Sequence, residues 1–301
     1  MRGQRALRKR IGRRRLARSR RGVAAIIGAL FAVLIFLTVF GLVLSQALPV
    51  WMAQDETAFT ESAQGALASL QSTIGLQSIS GAPTVAFTPI SLSSTSVPVL
   101  ASATIASLAF AAPTPSGFVN VSWSTSSGPA YQNRTLGRLV VGLPNRYIPA
   151  EALDFEDGAV LETVGAGAPV VAFGPAFSLS DRAGNLSLSI SIVSMSGASS
   201  AVNGPGTRSI TDTLLASSSY DHSSPGFSVT VEIGSSFACA WGAYYLGVLS
   251  YSGVPTSAVM STGPTNCLGG GSAGSLFSLT ISGVTWASLE SVVLSVSVGG
   301  G

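Results

Sequence analysis

The first apolar segment of the chain runs unbroken from Val23 to Leu48 and contains no charged residue. As an α-helix rising 1.5 Å per residue, this run extends about 39 Å, more than the roughly 30 Å hydrocarbon core of a bilayer. Helices of soluble proteins are seldom apolar on every face over such a length, although a fully buried core helix has the same pattern. The run therefore predicts a transmembrane helix over 23–48.

The next segment, 49–83, has a one-sided helical pattern. Its apolar residues recur at steps of three and four, while acids and glutamines occupy the other positions. Pro49 is expected to kink the helix at its start, and Ser80-Gly81-Ala82-Pro83 to end it. We predict an amphipathic helical stalk and linker, with an apolar stripe formed by Phe59, Ala63, Ala66, Leu67, Leu70 and Ile74.

From Thr84 onward the pattern changes to short alternating runs separated by Gly, Pro, Ser and Asn. The clearest is Leu186–Ile192, in which four apolar residues alternate with three serines. The runs and the lack of a second helical pattern predict an α+β fold: a long N-terminal hydrophobic helix, then a mainly antiparallel β-sandwich over 84–301. A division into two β domains near 198–208 stays open. Further strand-like runs are Phe118–Ser124, Arg138–Leu143, Val170–Phe173, Phe227–Ile233, Leu276–Val284 and Val292–Val298.

The charges are distributed very unevenly along the chain. Eleven of the 16 basic residues precede Val23, which leaves five arginines against 13 acids in the rest. No basic face remains there to neutralise phosphates, so we expect no nucleic-acid partner. The positive-inside rule makes 1–22 a basic cytoplasmic leader next to anionic lipid and places the C-terminal part outside the membrane.

The junction Arg20-Arg21-Gly22, followed directly by Val23 and the apolar run, resembles the class III leader of archaeal type IV pilin-like proteins. The resemblance implies that a prepilin peptidase cuts between Gly22 and Val23. The helix then stays attached and either anchors the protein or packs into a filament core with other pilin subunits. Bacterial pilins have a glutamate five residues after the cut, where this chain has Ile27. The docking role of that glutamate is therefore not carried over.

Two other export signals remain alternatives to the pilin-like leader. Ser45-Gln46-Ala47 imitates the cleavage site of an ordinary secretory signal, although the apolar run is longer than such signals need. Ser19-Arg20-Arg21 suggests a twin-arginine signal, although those signals have weakly apolar cores. A soluble secreted protein would follow from cleavage after Ala47.

A second resemblance covers Leu139–Arg208. The phrase Phe155-Glu156-Asp157-Gly158-Ala159-Val160, and later Gly174-Pro175 before a serine-alternating strand, are similar to a β domain of uncharacterised archaeal secreted or membrane-anchored proteins. These proteins have the same type of N-terminus. The resemblance implies a location at the cell surface and lends no activity.

Few residues suggest chemistry. The sole histidine, His222, lies in a polar stretch that we expect to be a solvated turn, because it has no second histidine or nearby thiol with which to bind zinc. Gly270-Gly271-Ser272-Ala273-Gly274 matches the nucleophile elbow of hydrolases, but no histidine follows it, so we expect a turn. We predict no catalytic, cofactor-binding or metal-binding residue and no enzyme activity.

Five of the 13 acids lie within twelve residues. Their spacing departs from that of a calcium-binding loop, which has a central glycine and a terminal glutamate. We therefore expect a solvated acidic face, formed by Glu151, Asp154, Glu156, Asp157 and Glu162.

The extracytoplasmic part contains both cysteines and three glycosylation sequons. A disulfide between Cys239 and Cys267 would stabilise the domain by roughly 3.5 kcal/mol in the chain-entropy model, with two buried thiols as the alternative. The sequons make Asn120, Asn133 and Asn185 candidate N-glycosylation sites.

These observations favour a pilin-like surface subunit with a structural or adhesive role, and the size of the chain favours a minor subunit over the main one. The alternative is a stand-alone, single-span, membrane-anchored binding protein. A surface hydrolase is less favoured. The expected location is a single-pass membrane protein with a cytoplasmic N-terminus, or a cell-surface filament.

Overall fold

A computed structural model describes residues 25–95, 102–125, 128–182, 184–252, 254–263 and 275–299. They fall into two units that divide between Gln54 and Asp55. Helix α1 is assigned from Ala25 to Ser80 and therefore contributes residues to both units.

The described part of the first unit is helical, and its large apolar side chains are exposed. Phe31, Leu34 and Phe36 expose 63%, 60% and 65% of their surface. By length and composition this helix is able to cross a membrane. Before Pro49 the helix widens into a π-helical turn, Val43–Ala47. Proline lacks an N–H and its ring clashes with the carbonyl four residues earlier, so a wider turn at this point relieves the conflict.

The second unit, 55–301, contains the β structure. Its described residues form fourteen strands, a 3₁₀ turn at Thr256–Ala258 and helix α2 at Ala238–Tyr251. The strands are β1 Val85–Ser91, β2 Ser107–Ala111, β3 Phe118–Thr125, β4 Gly128–Thr135, β5 Arg138–Leu143, β6 Glu151–Glu156, β7 Ala159–Val164, β8 Val170–Phe173, β9 Phe177–Arg182, β10 Asn185–Ser196, β11 Ser200–Asn203, β12 Thr207–Gly234, β13 Val259–Thr262 and β14 Leu276–Gly299.

The strands form two sheets. The larger has the order β4-β3-β12-β14-β10-β9, with β1 also pairing with β12 and β13 with β14. The smaller has the order β11-β2-β5-β6-β7-β8. All pairings are antiparallel except that of β10 with β14. The predicted α+β fold, with one long apolar helix followed by a mainly antiparallel β domain, is confirmed.

The long strands β12 and β14 link two hydrophobic cores. Their register shifts between Ser223 and Phe227, where Gly226 adopts a φ of 67°. Such bulges bend a strand and increase its twist, so the two ends of one strand pack into different hydrophobic cores. Ile210 and Leu214 of β12 belong to one core, whereas Val229 and Val231 belong to the other.

The first core, here called the α1 core, packs helix α1 against both sheets. The buried helical residues are Phe59, Ala63, Leu67, Leu70 and Ile74, at the positions that the sequence pattern predicts; Ala66 is half-buried against them. Spacings of three and four place these side chains on one face of the helix. Residues 55–80 are thus part of the folded unit and do not form a separate stalk.

The second core, here called the α2 core, is built around helix α2, which the sequence analysis missed. Trp241 and Tyr245 are almost completely buried in it, and Phe277 packs on Tyr245 with 6.0 Å between ring centroids. The helix has no side-chain cap at Phe237, and its apolar residues surround the axis. Exposed positions of the helix, such as Ala243 and Leu246, are apolar as well, so the sequence has no one-sided helical pattern and its short apolar run resembles a buried strand.

The stretch 198–208, considered above as a domain boundary, lies within the second unit. It contains β11, whose Ala201 pairs with Ala109 of β2. Its glycines serve turns, and Gly204 and Gly206 adopt φ angles of 117° and 99°. Glycine and proline therefore mark a loop in this segment.

Candidate functional site

The hairpin of β6 and β7 lies between the two cores and organises the candidate site. Leu153 and Phe155 of β6 belong to the α1 core, and Leu161 of β7 belongs to the α2 core. Side chains alternate between the faces of a strand, so Asp154 and Glu156 point away from the α1 core. Each of these two acids is only 5% exposed, because the opposite face of β6 is covered as well.

A two-residue turn closes this hairpin. Asp157 and Gly158 both adopt positive φ angles, 49° and 71°, as a type I′ turn requires. The Asp157 carboxylate accepts a hydrogen bond from the backbone N–H of Val193 at 2.9 Å. From helix α1, the amide of Gln71 donates to the carbonyl of Gly158 at 2.8 Å. The turn is therefore fixed from two sides by the rest of the domain.

Glu156 is held by two donors from the start of α2. The Ser235 hydroxyl donates to its Oε1 at 2.5 Å, and the indole N–H of Trp241 donates to the same oxygen at 3.2 Å. Ser235 also accepts from the backbone N–H of Phe237 at 3.0 Å, which satisfies one of the free N–H groups at the helix start. Glu156 thus ties the β6–β7 hairpin to helix α2.

Arg138, at the start of β5, lies beside Asp154. Its Nε is 3.4 Å from the Asp154 carboxylate, and its Nη1 donates to the Ser236 hydroxyl at 3.3 Å. The guanidinium also stacks over the ring of Phe237, 5.4 Å from the centroid. Among the residues that the structure describes, this is the one ion pair. The Arg138 side chain remains about one-third exposed.

Burial dominates the electrostatics of these acids. It raises the pKa of Asp154 to about 6, although Arg138 opposes the shift and Glu156 reinforces it. Burial also raises the pKa of Glu156, against the effect of its two hydrogen bonds and of Arg138. The pKa of Asp157 is raised well above its ordinary value for the same reason, despite the Val193 hydrogen bond.

A cleft of about 360 Å³ opens above these groups, and we call it the Arg138 cleft. The β2–β3 loop, the start of β5, the end of β6 and the turn before α2 contribute its walls. Its polar lining residues are Thr114, Ser116, Arg138, Glu156, Ser235 and Ser236, and Ala111, Ala112 and Leu136 contribute apolar surface. A concave site with a few converging polar groups is suited to binding a small ligand.

The predicted solvated acidic face is therefore wrong for three of its five members. Asp154, Glu156 and Asp157 are buried, whereas Glu151 and Glu162 at the other end of the hairpin are half-buried. The prediction failed because acidic side chains are ordinarily exposed, whereas here the second core covers the face of β6 that carries Asp154 and Glu156. Within the described ranges, no group of three or more metal-binding side chains comes together.

A further buried acid, Glu56 of helix α1, was assigned to the polar face of the helix but is fully buried. It accepts hydrogen bonds from the Thr104 hydroxyl at 2.6 Å and from the backbone N–H groups of Arg146, Tyr147 and Ile148. Burial alone would raise the pKa of Glu56, but these donors together lower it. Glu56 thus fastens the loop between β5 and β6 to the helix.

His222 does not lie in a solvated turn. It is half-buried in strand β12, opposite Ala287 of β14. Its ring packs edge-on against Phe227 at 4.7 Å and stacks near Tyr220 at 6.5 Å between centroids. Serines and a proline nearby suggested a loop, whereas a long bulged strand accommodates them. The histidine therefore has a packing role.

The candidate glycosylation sites differ in accessibility. The Nδ2 atom of Asn120, to which a glycan would be attached, donates to Glu232 at 2.9 Å, and the side chain is half-buried. Asn133 on β4 and Asn185 at the start of β10 are exposed. The last two therefore remain the better candidates.

The remaining predicted residues lie wholly or partly outside the described ranges. Arg20, Arg21, Gly22 and Val23 of the predicted cleavage site are among them, as is the segment 270–274. Cys239 is buried in the first turn of α2, but Cys267 lies outside the described residues, so their disulfide stays a prediction.

Comparison of the chain with family models, with curated proteins and with solved structures finds no match. The sequence did contain one signal for the Arg138 cleft. Asp-Gly between two strand-like runs is a strong signature of a tight hairpin, and such a hairpin brings the acids before it next to the following strand. The covering helix α2 was the missing element.

Proposed function

We propose that this chain is a pilin-like surface protein, held by its apolar helix in a membrane or a filament core, with a β domain that serves a structural or adhesive role outside. The observation that carries the proposal is the exposure of the large apolar side chains in the first part of helix α1. An apolar surface of this extent needs cover from lipid or from equivalent helices.

The second part of the same helix supports the proposal. Residues 55–80 belong to the folded β unit, where Leu67 and Leu70 are almost completely buried in the α1 core. One helix whose apolar first part is exposed and whose second part packs on a β domain fits the resemblance of the junction at Gly22. In a filament, the exposed part would pack against neighbouring subunits.

A minor or capping subunit fits this chain better than the main filament protein. Ile27 offers no carboxylate to pair with the amino terminus of a neighbour, so one specific docking interaction is missing. At 301 residues the chain is also large for a major archaeal pilin. The proposed partners are membrane lipid, a prepilin peptidase and other pilin subunits.

Mass spectrometry of the N-terminal peptide from native membranes tests the proposal. We expect a mature start at Val23, since the predicted cut lies at the cytoplasmic edge of the apolar run. A start at Leu48 would contradict it and would indicate a secreted soluble protein. Analysis of sheared surface filaments then tests abundance, because a dominant band of this chain would contradict the minor-subunit role.

A second candidate function is that of a stand-alone anchored binding protein. The Arg138 cleft favours it, because a structural subunit has no need of a concave polar site in its β domain. Complete retention of the chain in the membrane fraction, with none in sheared filaments, would favour this candidate over a filament subunit.

A further inference from the structure

The size of the Arg138 cleft suits a small molecule. Its volume of about 360 Å³ lies within the range of roughly 300 to 1,000 Å³ that is usual for ligand pockets. Its floor is rigid, because Glu156 and Ser235 are buried and hydrogen-bonded to one another. A preorganised floor lowers the entropy cost of holding a ligand.

The charges of the cleft nearly balance. Arg138 is the one cation in its lining, and it is already paired with Asp154 and lies close to Glu156. An anion would approach two acids as well as the guanidinium, and a cation would meet the guanidinium itself. Neither gains a net electrostatic advantage, whereas an uncharged polar ligand is not penalised.

The hydrogen-bonding groups of the cleft mostly donate. Two of the five guanidinium N–H groups face Asp154 and Ser236, which leaves the outer edge of the guanidinium to face a ligand. The Ser236 hydroxyl accepts from Arg138, so its own proton is available to a ligand oxygen. Thr114 and Ser116 bond to one another at 3.1 Å, which leaves one of their two hydroxyl protons for a ligand.

Apolar surface lies next to these donors. Leu136 and the alanines Ala111 and Ala112 form one wall of the cleft. Uncharged ligands that present several hydroxyl oxygens on one side and C–H groups on another match this combination. Sugars have this character.

We propose that the Arg138 cleft binds a neutral carbohydrate unit, with Arg138, Ser236 and the Thr114–Ser116 pair donating to its hydroxyl oxygens and the half-buried Ala111 and Ala112 packing on its C–H groups. This inference names the ligand class of the adhesive or binding role proposed above and rests on that role.

Titration calorimetry of the full-length chain in detergent micelles tests the inference, after an array of neutral glycans has selected the best disaccharide probe. We expect the R138Q variant to bind that probe about tenfold more weakly, the usual cost of losing a hydrogen bond from a charged donor. R182Q is the matched control, because Arg182 is exposed on β9 and does not line the cleft, and it should bind like the wild type.

A second variant keeps the test valid where R138Q lowers stability. Thr114 and Ser116 are both exposed, so the double variant T114V/S116A removes only the two hydroxyl groups and should weaken binding two- to fivefold while the circular dichroism spectrum stays unchanged. Absence of any neutral glycan ligand, or binding that neither variant weakens, would overturn the inference. Tighter binding of glucuronate or inorganic phosphate than of neutral sugars would overturn it too.

These outcomes are separate from those of the proposed function. A chain that starts at Val23 and remains in membranes or filaments, yet binds no neutral glycan, would contradict the ligand class alone. A chain that starts at Leu48 and binds the glycan through Arg138 would contradict the anchored role alone.

Discussion

Ser235 donates a hydrogen bond of 2.5 Å to the carboxylate of Glu156, although 79 positions separate the two residues in the chain. This contact joins the turn that starts helix α2 to the end of strand β6. It lies at the boundary of the two hydrophobic cores and at the floor of the Arg138 cleft. A polar contact in such a place specifies how the two layers align, because an unpaired buried carboxylate would be costly.

The acids of the domain predict an unusual dependence of stability on pH. Burial raises the pKa of Glu151, Asp154, Glu156, Asp157 and Asp212. An acid with a raised pKa binds more protons in the folded state than in the unfolded state, so the free energy of unfolding falls as pH increases. We expect the domain to be more stable near pH 5 than near pH 8, as measured by urea unfolding.

The Asp154→Asn variant isolates one of these contributions. Burial raises the pKa of Asp154 from 3.8 to about 6, so this residue alone should lower the free energy of unfolding of the wild type by roughly 2 kcal/mol as pH increases from 4 to 7. The variant cannot titrate at this position, and its stability should fall less over that interval. Parallel pH profiles for the two proteins would contradict the assignment.

Arg138 gives an independent check on the same group. Its positive charge lowers the pKa of Asp154, so the R138Q variant should shift the fall in stability to higher pH. Carboxyl chemical shifts measured by NMR would report the shift directly.

Glu56 should behave in the opposite way. Its pKa is lowered, so its contribution to stability is present above the ordinary value of 4.5 and is lost as pH falls through the folded pKa. Glu56→Gln replaces an oxygen acceptor with an N–H₂ group that faces backbone donors. We expect this variant to lower the free energy of unfolding by about 3 kcal/mol at pH 7 and by less at acidic pH.

Glu61→Gln is the matched control for this experiment. Glu61 lies on the same helix but is exposed, and surface substitutions usually change stability by less than about 0.5 kcal/mol. If urea unfolding gave the same decrease in unfolding free energy for both variants, the hydrogen bonds of Glu56 to the loop would not stabilise the domain.

Two glycine-to-alanine substitutions should have opposite effects. A Cβ atom at Gly137 would overlap the carbonyl oxygen of Met195 and lie 3.0 Å from the ring of Phe110. Neither neighbour has room to move, so we expect Gly137→Ala to destabilise the domain by about 2–3 kcal/mol. Gly247, inside helix α2, has no neighbour within 4 Å of its Cβ position, so Gly247→Ala should stabilise by roughly 0.8 kcal/mol. Thermal unfolding of both variants provides the measurement.

The pattern of apolar and polar residues along the chain predicted the elements that have one buried face and one more exposed face. The alternation of Leu186–Ile192 falls within β10, and Arg138–Leu143 is strand β5 with no change of bounds. The apolar stripe from Phe59 to Ile74 was predicted for the same reason. The opposite face of the helix is exposed to water and polar, so the apolar residues recur with the helical period.

The candidate site depends on elements without such a period. Helix α2 is apolar around its axis, and the acids of β6 lie between two cores, so their burial depends on contacts with distant segments. Glu156 contacts Ser235 and Trp241, which follow strand β12 and lie 79 and 85 positions away in the chain. No local sequence pattern predicts such contacts. The burial and the contacts of the residues at the candidate site therefore depend on tertiary structure and could not be predicted from the local sequence.

The apolar part of helix α1 predicts firm association with membranes. None of the most apolar 18-residue stretch of this part is buried within the protein. Each arginine placed at the centre of a membrane-spanning helix costs about 2.5–3.5 kcal/mol on insertion scales. We expect the wild type to stay in the pellet during alkaline carbonate extraction and the double variant L34R/F36R to be released or degraded. Ser72→Arg, at an exposed position of the helix in the folded unit, should remain in the pellet. Equal retention of the double variant would contradict insertion through this segment and would instead favour attachment through the β domain.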